Sequence, residues 1–287
     1  MKRQTIILYN TSISFIDSDQ DPDQLLYNKP KDDSSKTLVF LHGFLESLDI
    51  WKNFYLNLSK AFRVVCIDLP GHGNSGMLEP EREHSMDNMA EMVNEVLKTL
   101  NIKDCVLIGH SMGGYVGLSF MNKYPDMLRG LCLFHSHAKA DTDEIKNNRD
   151  KMIDIVSYNH TQFIKNFIPN LYFLDNIQKY TAEIEQQQAI SGNTSKESII
   201  AALNGMKDRV DYTSLLAKTQ VPVLFIVGKN DSRINFNEIL EQIGLPSHSE
   251  ALILDKVGHV GFVEAKLKTL LAVSSFAQKS YLYKEFN

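Results

Sequence analysis

The chain has 287 residues, of which 43% are hydrophobic and 23% charged, an ordinary balance for a soluble globular protein of one large domain or two modest ones. A formal net charge of −5, with lysines scattered and no dense basic run, gives no reason to expect a nucleic-acid partner. Cys66, Cys105 and Cys132 lie in or beside apolar runs. An odd count without CxxC or His/Cys ligand spacing argues against a disulfide scaffold or a structural zinc site and for small buried hydrophobes.

The start, "MKRQTIILYNTSISF", has a positive beginning but too short an apolar run for a secretory signal, and no window reaches the length of a membrane span. A cytoplasmic protein with no membrane partner is the expectation. "TIILYNTSISFID" predicts a β-hairpin, with strands near 4–9 and 12–16 and a turn at Asn10–Thr11. The Asp/Pro/Ser/Lys-rich stretch 17–36 predicts a long polar loop.

A rhythm then sets in. "TLVFLH" predicts a strand. "WKNFYLNLSKAF" has helical spacing at Trp51, Phe54, Leu58 and Phe62, with Trp51 as a packing residue. "RVVCIDLP" is a buried-type strand. "SMDNMAEMVNEVLKTL" is a helix with Ser85 as N-cap and Met89, Met92, Val93, Val96, Leu97 and Leu100 on its apolar face. "CVLIGH", "MGGYVGLSFMNKY" and "GLCLFHS" follow as strand, helix and strand. Continuous apolar strands alternating with helices imply a parallel sheet covered on both faces.

From Asp141 to Lys218 the pattern is helical without a strong strand, a helical insertion. One expected stripe carries Ile145, Met152, Ile155 and Val156; another carries Ile199, Ile200, Leu203 and Met206. The strand rhythm resumes at "VPVLFIVGKND". It continues through the helix "INFNEILEQI", the strand "EALILD" and a last helix from "VGFVEAKLKTLLAVSSFAQ".

Residues 106–115 read "VLIGHSMGGY": an apolar strand that runs into G-x-S-x-G and on into a helix. A strand turning abruptly into a helix strains the residue between. Side chains two before and two after it would collide, so Gly109 and Gly113 flank Ser111. A serine hydroxyl is a weak nucleophile and needs a base, itself oriented by a carboxylate. In an open α/β sheet both belong at the carboxyl ends of later strands. Asp231, after "VPVLFIVG", and His259, after "ALILD", fall there. Asp255 is a rival acid, but on the same loop as the base it is too local to buttress it. Two backbone donors are expected for an oxyanion: the N–H of Met112, directly after the nucleophile, and that of Phe44, in the loop that Gly43 allows to fold closely.

His42 reads as a brace of that loop or as a second base. His135 and His137 follow the sixth strand beside the site and are candidate pocket walls; as H-x-H they lack an evident third ligand, so no metal is expected. Arg209 meets either a substrate carboxylate or a surface salt-bridge partner. In the insertion, Phe163, Phe167, Tyr172, Phe173 and Met206 pack it onto the sheet or line an acyl pocket. Phe163, Phe167 and Met206, with His42, Gly43, His135, His137 and Val260, form the candidate pocket set.

Together "LHGF", "DLPGHGNS", "GHSMGG", "VPVLFIVGKND" and "VGHVGFVEA" resemble the motifs of the α/β-hydrolase family. The resemblance covers nearly the whole chain outside the insertion. It implies a mostly parallel eight-stranded sheet with helices on both faces. The core would comprise 1–136 and 216–287, with 137–215 as an inserted helical cap.

Serine at position 111, where haloalkane dehalogenases and epoxide hydrolases carry aspartate, implies an esterase, lactonase, carbon–carbon hydrolase or haloperoxidase type. The "GHSMGGYVGLSFMNKYP" and "MKDRVDYT" segments resemble the broad group with 3-oxoadipate enol-lactonases and pimeloyl-ACP methyl ester carboxylesterases. The expectation is therefore a serine hydrolase cleaving a small ester or thioester. It would need no cofactor, have a small-molecule acyl partner, and exist as a monomer or homodimer. Lactone hydrolysis, hydrolysis of a carbon–carbon bond in a diketone, haloperoxidase or perhydrolase chemistry or elimination on the same triad, or a non-catalytic receptor, are the alternatives.

Overall fold

A computed structural model describes residues 2–20, 36–79 and 82–283. Most of the expected polar loop, 21–35, lies outside the described residues. The first hairpin pairs β1 (Arg3–Leu8) with β2 (Thr11–Asp17). Its turn sits one residue earlier than expected: Tyr9 and Asn10 both have positive φ, the backbone that a two-residue hairpin needs to match strand twist.

The remaining strands are β3 (Thr37–Leu41), β4 (Arg63–Ile67), β5 (Cys105–His110), β6 (Leu128–Phe134), β7 (Val223–Gly228) and β8 (Ser249–Leu254). They form one eight-stranded sheet in the order β1-β2-β4-β3-β5-β6-β7-β8. β2 is antiparallel to both neighbours, and every pairing from β4 to β8 is parallel. β3, β5 and β7 are buried at every residue, as strands covered on both faces must be. The edge strand β8 alternates instead.

The helices of the first half are α1 (Lys52–Leu58), α2 (Met86–Thr99) and α3 (Met112–Lys123). Ser85 caps α2 by accepting the N–H of Asn88, and Met89, Met92, Val93, Val96, Leu97 and Leu100 are buried. Trp51 is fully buried against Phe40, Phe54 and Phe134.

Between β6 and β7 run four helices: α4 (Asp143–Phe167), α5 (Thr181–Ser191), α6 (Lys196–Lys207) and α7 (Thr213–Lys218). In α6, Ile199, Leu203 and Met206 are buried as expected, and Ile200 is only partly buried. In α4 the expected stripe is corrected. Val156 is buried, but Ile155 is 53% and Ile145 40% exposed. Ile155 and Val156 are adjacent and so point about 100° apart, and α4 breaks at Asn159, which has non-helical φ/ψ.

The chain closes with α8 (Phe236–Ile243), α9 (Gly261–Glu264) and α10 (Lys266–Tyr283). The single last helix expected from sequence is two, parted at Ala265.

Neighbouring residues of β6 show the two covered faces. A Cβ at Gly130 would strike Phe276 and Ser280 of α10, whereas Leu131 meets Gly117 of α3. The three cysteines are buried and free, and burial pushes their thiols up, so they remain protonated. Among the described residues no helix is long and apolar enough to cross a membrane.

Candidate active site

The strand order reverses at β3, which has β4 on one side and β5 on the other. At such a switch point the loops leaving the carboxyl ends of adjacent strands diverge and open a crevice. Here those loops are 42–47 after β3 and the bend at Ser111 after β5.

Ser111 has φ 49° and ψ −113°, a backbone that costs a non-glycine residue about 1–3 kcal/mol. A Cβ at Gly109 would lie 2.3 Å from Gly113 O, and one at Gly113 would lie 2.6 Å from Leu41 O. The two glycines thus permit the bend, as their spacing predicted. Met112 N is the first amide of α3, and Ser111 makes no side-chain cap bond; the amide is one of the helix's orphan donors. On the facing loop the N–H of Phe44 has no acceptor among the described residues. The next residue, Leu45, has φ 61°, and its carbonyl accepts from the Ser191 hydroxyl at 2.6 Å.

The His42 reading resolves to the brace. Its Nδ1–H donates to Gly43 O at 2.7 Å, and its Nε2 accepts the N–H of Leu69 at 2.9 Å. The ring is fully buried, which lowers its pKa and keeps it neutral. Both nitrogens are engaged inside the protein, so it offers none to a ligand.

Asp231 follows β7 and meets His259 at 2.8 Å, Oδ2 to Nδ1. Its Oδ1 also accepts the N–H groups of Arg233 at 2.8 Å and Ile234 at 3.1 Å. A second histidine shares the carboxylate: His135 Nδ1 lies 2.9 Å from Oδ2, while its Nε2 accepts the N–H of Gly261 at 3.2 Å. Burial opposes ionisation of Asp231, but the two imidazoles outweigh it and hold the carboxyl well below its usual range.

His135 therefore departs from the expected pocket wall. Its pKa, pushed down by burial to about 4, leaves it a neutral donor that fixes the aspartate. The three side chains gather ligand-type atoms within 4.8 Å. Both histidines, however, direct Nδ1 to the carboxylate as donors, a hydrogen-bonded set rather than an open ligand set. The rival Asp255 is 68% exposed at its side chain and faces Lys229.

The histidine loop is seated from above. Leu171 O accepts the N–H of His259 at 2.7 Å, and a Cβ on Gly258 would lie 2.6 Å from that same oxygen. Glu264 clamps the arrangement, accepting from Gly258 N at 2.7 Å and Phe173 N at 3.0 Å. The bend at Ser111 touches this loop too: His110, next to Ser111, has Nε2 2.9 Å from His259 O.

The other candidates separate. Phe167, half-buried at the end of α4, meets Phe44 edge-on at 5.6 Å and Phe163 at 5.3 Å. Met206 and Val260 are buried in the core. His137 Nε2 accepts from Tyr115 OH at 3.2 Å, and burial together with Arg209 pushes the ring down to about 3. Arg209 is neither of the two things expected. It is buried, ion-paired with Asp141 and stacked on Tyr115 at 4.1 Å.

Sequence reasoning missed Glu46, His110 and the link from His135 to Asp231. The one local signal is a glutamate and a histidine in two otherwise apolar or small-residue stretches, Phe44–Ser47 and Val106–Ser111.

A family model for the α/β hydrolase fold matches residues 36–266, and the chain belongs to the α/β-hydrolase family. Among solved structures it is similar to a thermophilic esterase from Thermogutta terrifontis, with a TM-score of 0.85 and 26% identity over 98% of this chain and 99% of that one. It is 26% identical, over 82% of its length and 74% of the relative's, to a pimeloyl-(acyl-carrier protein) methyl ester esterase of Neisseria meningitidis. It is also 26% identical, over 78% of its length and 81% of the relative's, to a 2-hydroxy-6-oxononadienedioate/2-hydroxy-6-oxononatrienedioate hydrolase of Paraburkholderia phymatum.

Proposed function

We propose that the chain is a serine carboxylesterase acting on a small ester or thioester through Ser111, His259 and Asp231, with no metal or organic cofactor. The observation that carries the reading is the Asp231–His259 hydrogen bond at 2.8 Å, on the rim where Ser111 is held in a strained bend. His259 Nε2 takes the hydroxyl proton as Ser111 Oγ attacks the carbonyl, and Asp231 holds the tautomer and stabilises the imidazolium. The N–H groups of Phe44 and Met112 receive the oxyanion. The alcohol or thiol leaves with the proton that His259 returns. Water then attacks the acyl-enzyme with His259 as base, and the acid departs.

The helices of 137–215 act as the cap, with Phe167 against the oxyanion loop selecting apolar acyl groups. Two relatives named as an esterase of pimeloyl-carrier methyl esters and as a thermophilic esterase support this class. The relative named for 2-hydroxy-6-oxononadienedioate keeps one second reading, hydrolysis of another bond on the same three side chains.

A panel of p-nitrophenyl acyl esters, a lactone and a vinylogous diketone, run beside fluorophosphonate labelling, tests both readings. Turnover of esters with one label on the Ser111 peptide is expected. Diketone turnover alone would favour the second reading, and no label would remove both.

A further inference from the structure

Behind the bend at Ser111 lies a carboxylate that the chemistry above does not use. Glu46 is 2% exposed. Its Oε2 accepts the N–H of Gly43 at 2.6 Å and faces His110 Nδ1 at 2.8 Å. On its far side His110 faces the carbonyl of His259 at 2.9 Å. That carbonyl can only accept, so Nε2 carries a proton. Glu46 accepts N–H donors at both oxygens, from Gly43 at Oε2 and from Gln187 at Oε1, as an ionised carboxylate does, so Nδ1 carries a proton as well. An imidazole that donates at both nitrogens is an imidazolium.

The surroundings suit a buried cation. His110 meets the Phe262 ring edge-to-face at 5.0 Å, centroid to centroid. Burial disfavours charge on both partners, yet their mutual attraction raises His110 and lowers Glu46 from their ordinary values.

We propose that Glu46 and His110 are a charged positioning pair that locks three segments into register: the oxyanion loop through Gly43, the nucleophile bend through His110, and the general-base loop through His259. The pair and its bonds reach the residue before Phe44, the residue before Ser111 and the carbonyl of His259 itself, beside each group that the proposed esterase chemistry needs, and the proposal rests on that reading. A shift of about 1 Å in any of the three would misalign the transition state far more than the bound ester.

The lock also reaches the helices above. Gln187 of α5 donates to Glu46 Oε1 at 3.3 Å and accepts from Tyr172 OH at 2.7 Å. The first of these bonds ties α5 to the oxyanion loop.

Two measurements test the pair. In the wild-type protein, long-range ¹H–¹⁵N NMR of the ring nitrogens reads the protonation of His110 directly, with the resonance assigned by its loss in His110→Asn. Both nitrogens protonated at pH 7 is expected, and one proton would overturn the charged pair. This measurement needs no activity, so it stands even if the esterase reading fails, whereas absent ester turnover and absent Ser111 labelling in wild type would fail that reading alone.

The second compares Glu46→Gln with wild type on p-nitrophenyl butyrate, with kcat divided by sites titrated with a fluorophosphonate. The amide keeps the shape and loses the charge. A fall in kcat per site of about 10–100-fold, with KM within about threefold, is expected. A merely structural brace would lower the titratable fraction or the melting temperature and leave kcat per site unchanged; that result would overturn the positioning role.

Discussion

His135 donates to Asp231 at 2.9 Å, on the carboxylate oxygen that also faces His259 at 2.8 Å. One buried carboxylate thus faces two imidazoles. His135, neutral and bonded at its other nitrogen to Gly261 N, cannot turn away, so it fixes the carboxylate plane for His259. Asp231→Asn should lower kcat/KM for p-nitrophenyl butyrate by about 10³–10⁴-fold, because an amide favours the wrong His259 tautomer. His135→Ala should cost about tenfold in kcat/KM and about 1–3 kcal/mol in stability, since Asp231 stays buried with one donor fewer. Equal activity losses in the two variants would refute this division of labour.

The bend at Ser111 depends on bare neighbours. At Gly113 a methyl group would meet two backbone carbonyls, Leu41 O at 2.6 Å and His42 O at 2.7 Å, and neither can retreat without pulling β3. Gly113→Ala should destabilise by about 2–4 kcal/mol in urea unfolding. Gly244 is the control. It has φ −84° with nothing within 4 Å, so Gly244→Ala should be neutral or stabilising by about 0.4–1 kcal/mol. Similar effects at both positions would remove the steric account.

What the sequence displayed and what it hid divide along contact range. Ser85 as cap, the apolar face of α2 and the bend at Ser111 rest on spacings of a few residues, and they read directly. That Asp231 and His259 meet could also be read, because strand ends in a parallel sheet converge on one rim. Glu46 to His110 spans 64 residues, His135 to Asp231 96, and His110 to His259 149. Locally such partners show only as a polar residue in an apolar or small-residue stretch, and the meaning of each comes from what the fold sets opposite it. The α4 stripe failed for a related reason. Periodicity assumes an unbroken helix against one surface, whereas α4 breaks at Asn159 and leaves Ile155 outside.

Asp231 also sets an acid limit on stability. Its folded pKa lies below its ordinary value of 3.8, with burial opposing and the His259 and His135 contacts prevailing. A carboxyl depressed on folding contributes stability above its unfolded pKa and loses it as pH falls towards the folded one. Wild type should therefore exceed Asp231→Asn in melting temperature at pH 6, and the gap should narrow as pH drops below about 4. A gap of constant size from pH 6 to pH 2.5 would show that the aspartate's charge plays no part.

Substrate choice should be readable at Phe167. Its ring meets Phe44 edge-on at 5.6 Å, and Arg233 covers it at 4.2 Å, so it forms a half-buried apolar wall beside one proposed oxyanion donor. Phe163 is the poorer probe: it is buried, and truncating a buried Phe costs about 3–5 kcal/mol and confounds kinetics with folding. Phe167 leaves the backbone donor in place when truncated. Each methylene of a bound acyl chain that touches the wall contributes about 0.8 kcal/mol, so two or three such contacts amount to roughly tenfold or more in KM. Phe167→Ala should therefore raise KM for p-nitrophenyl hexanoate about tenfold, leave the acetate ester within about twofold, and hold kcat for both within about threefold. An equal rise for acetate and hexanoate would place the acyl chain elsewhere.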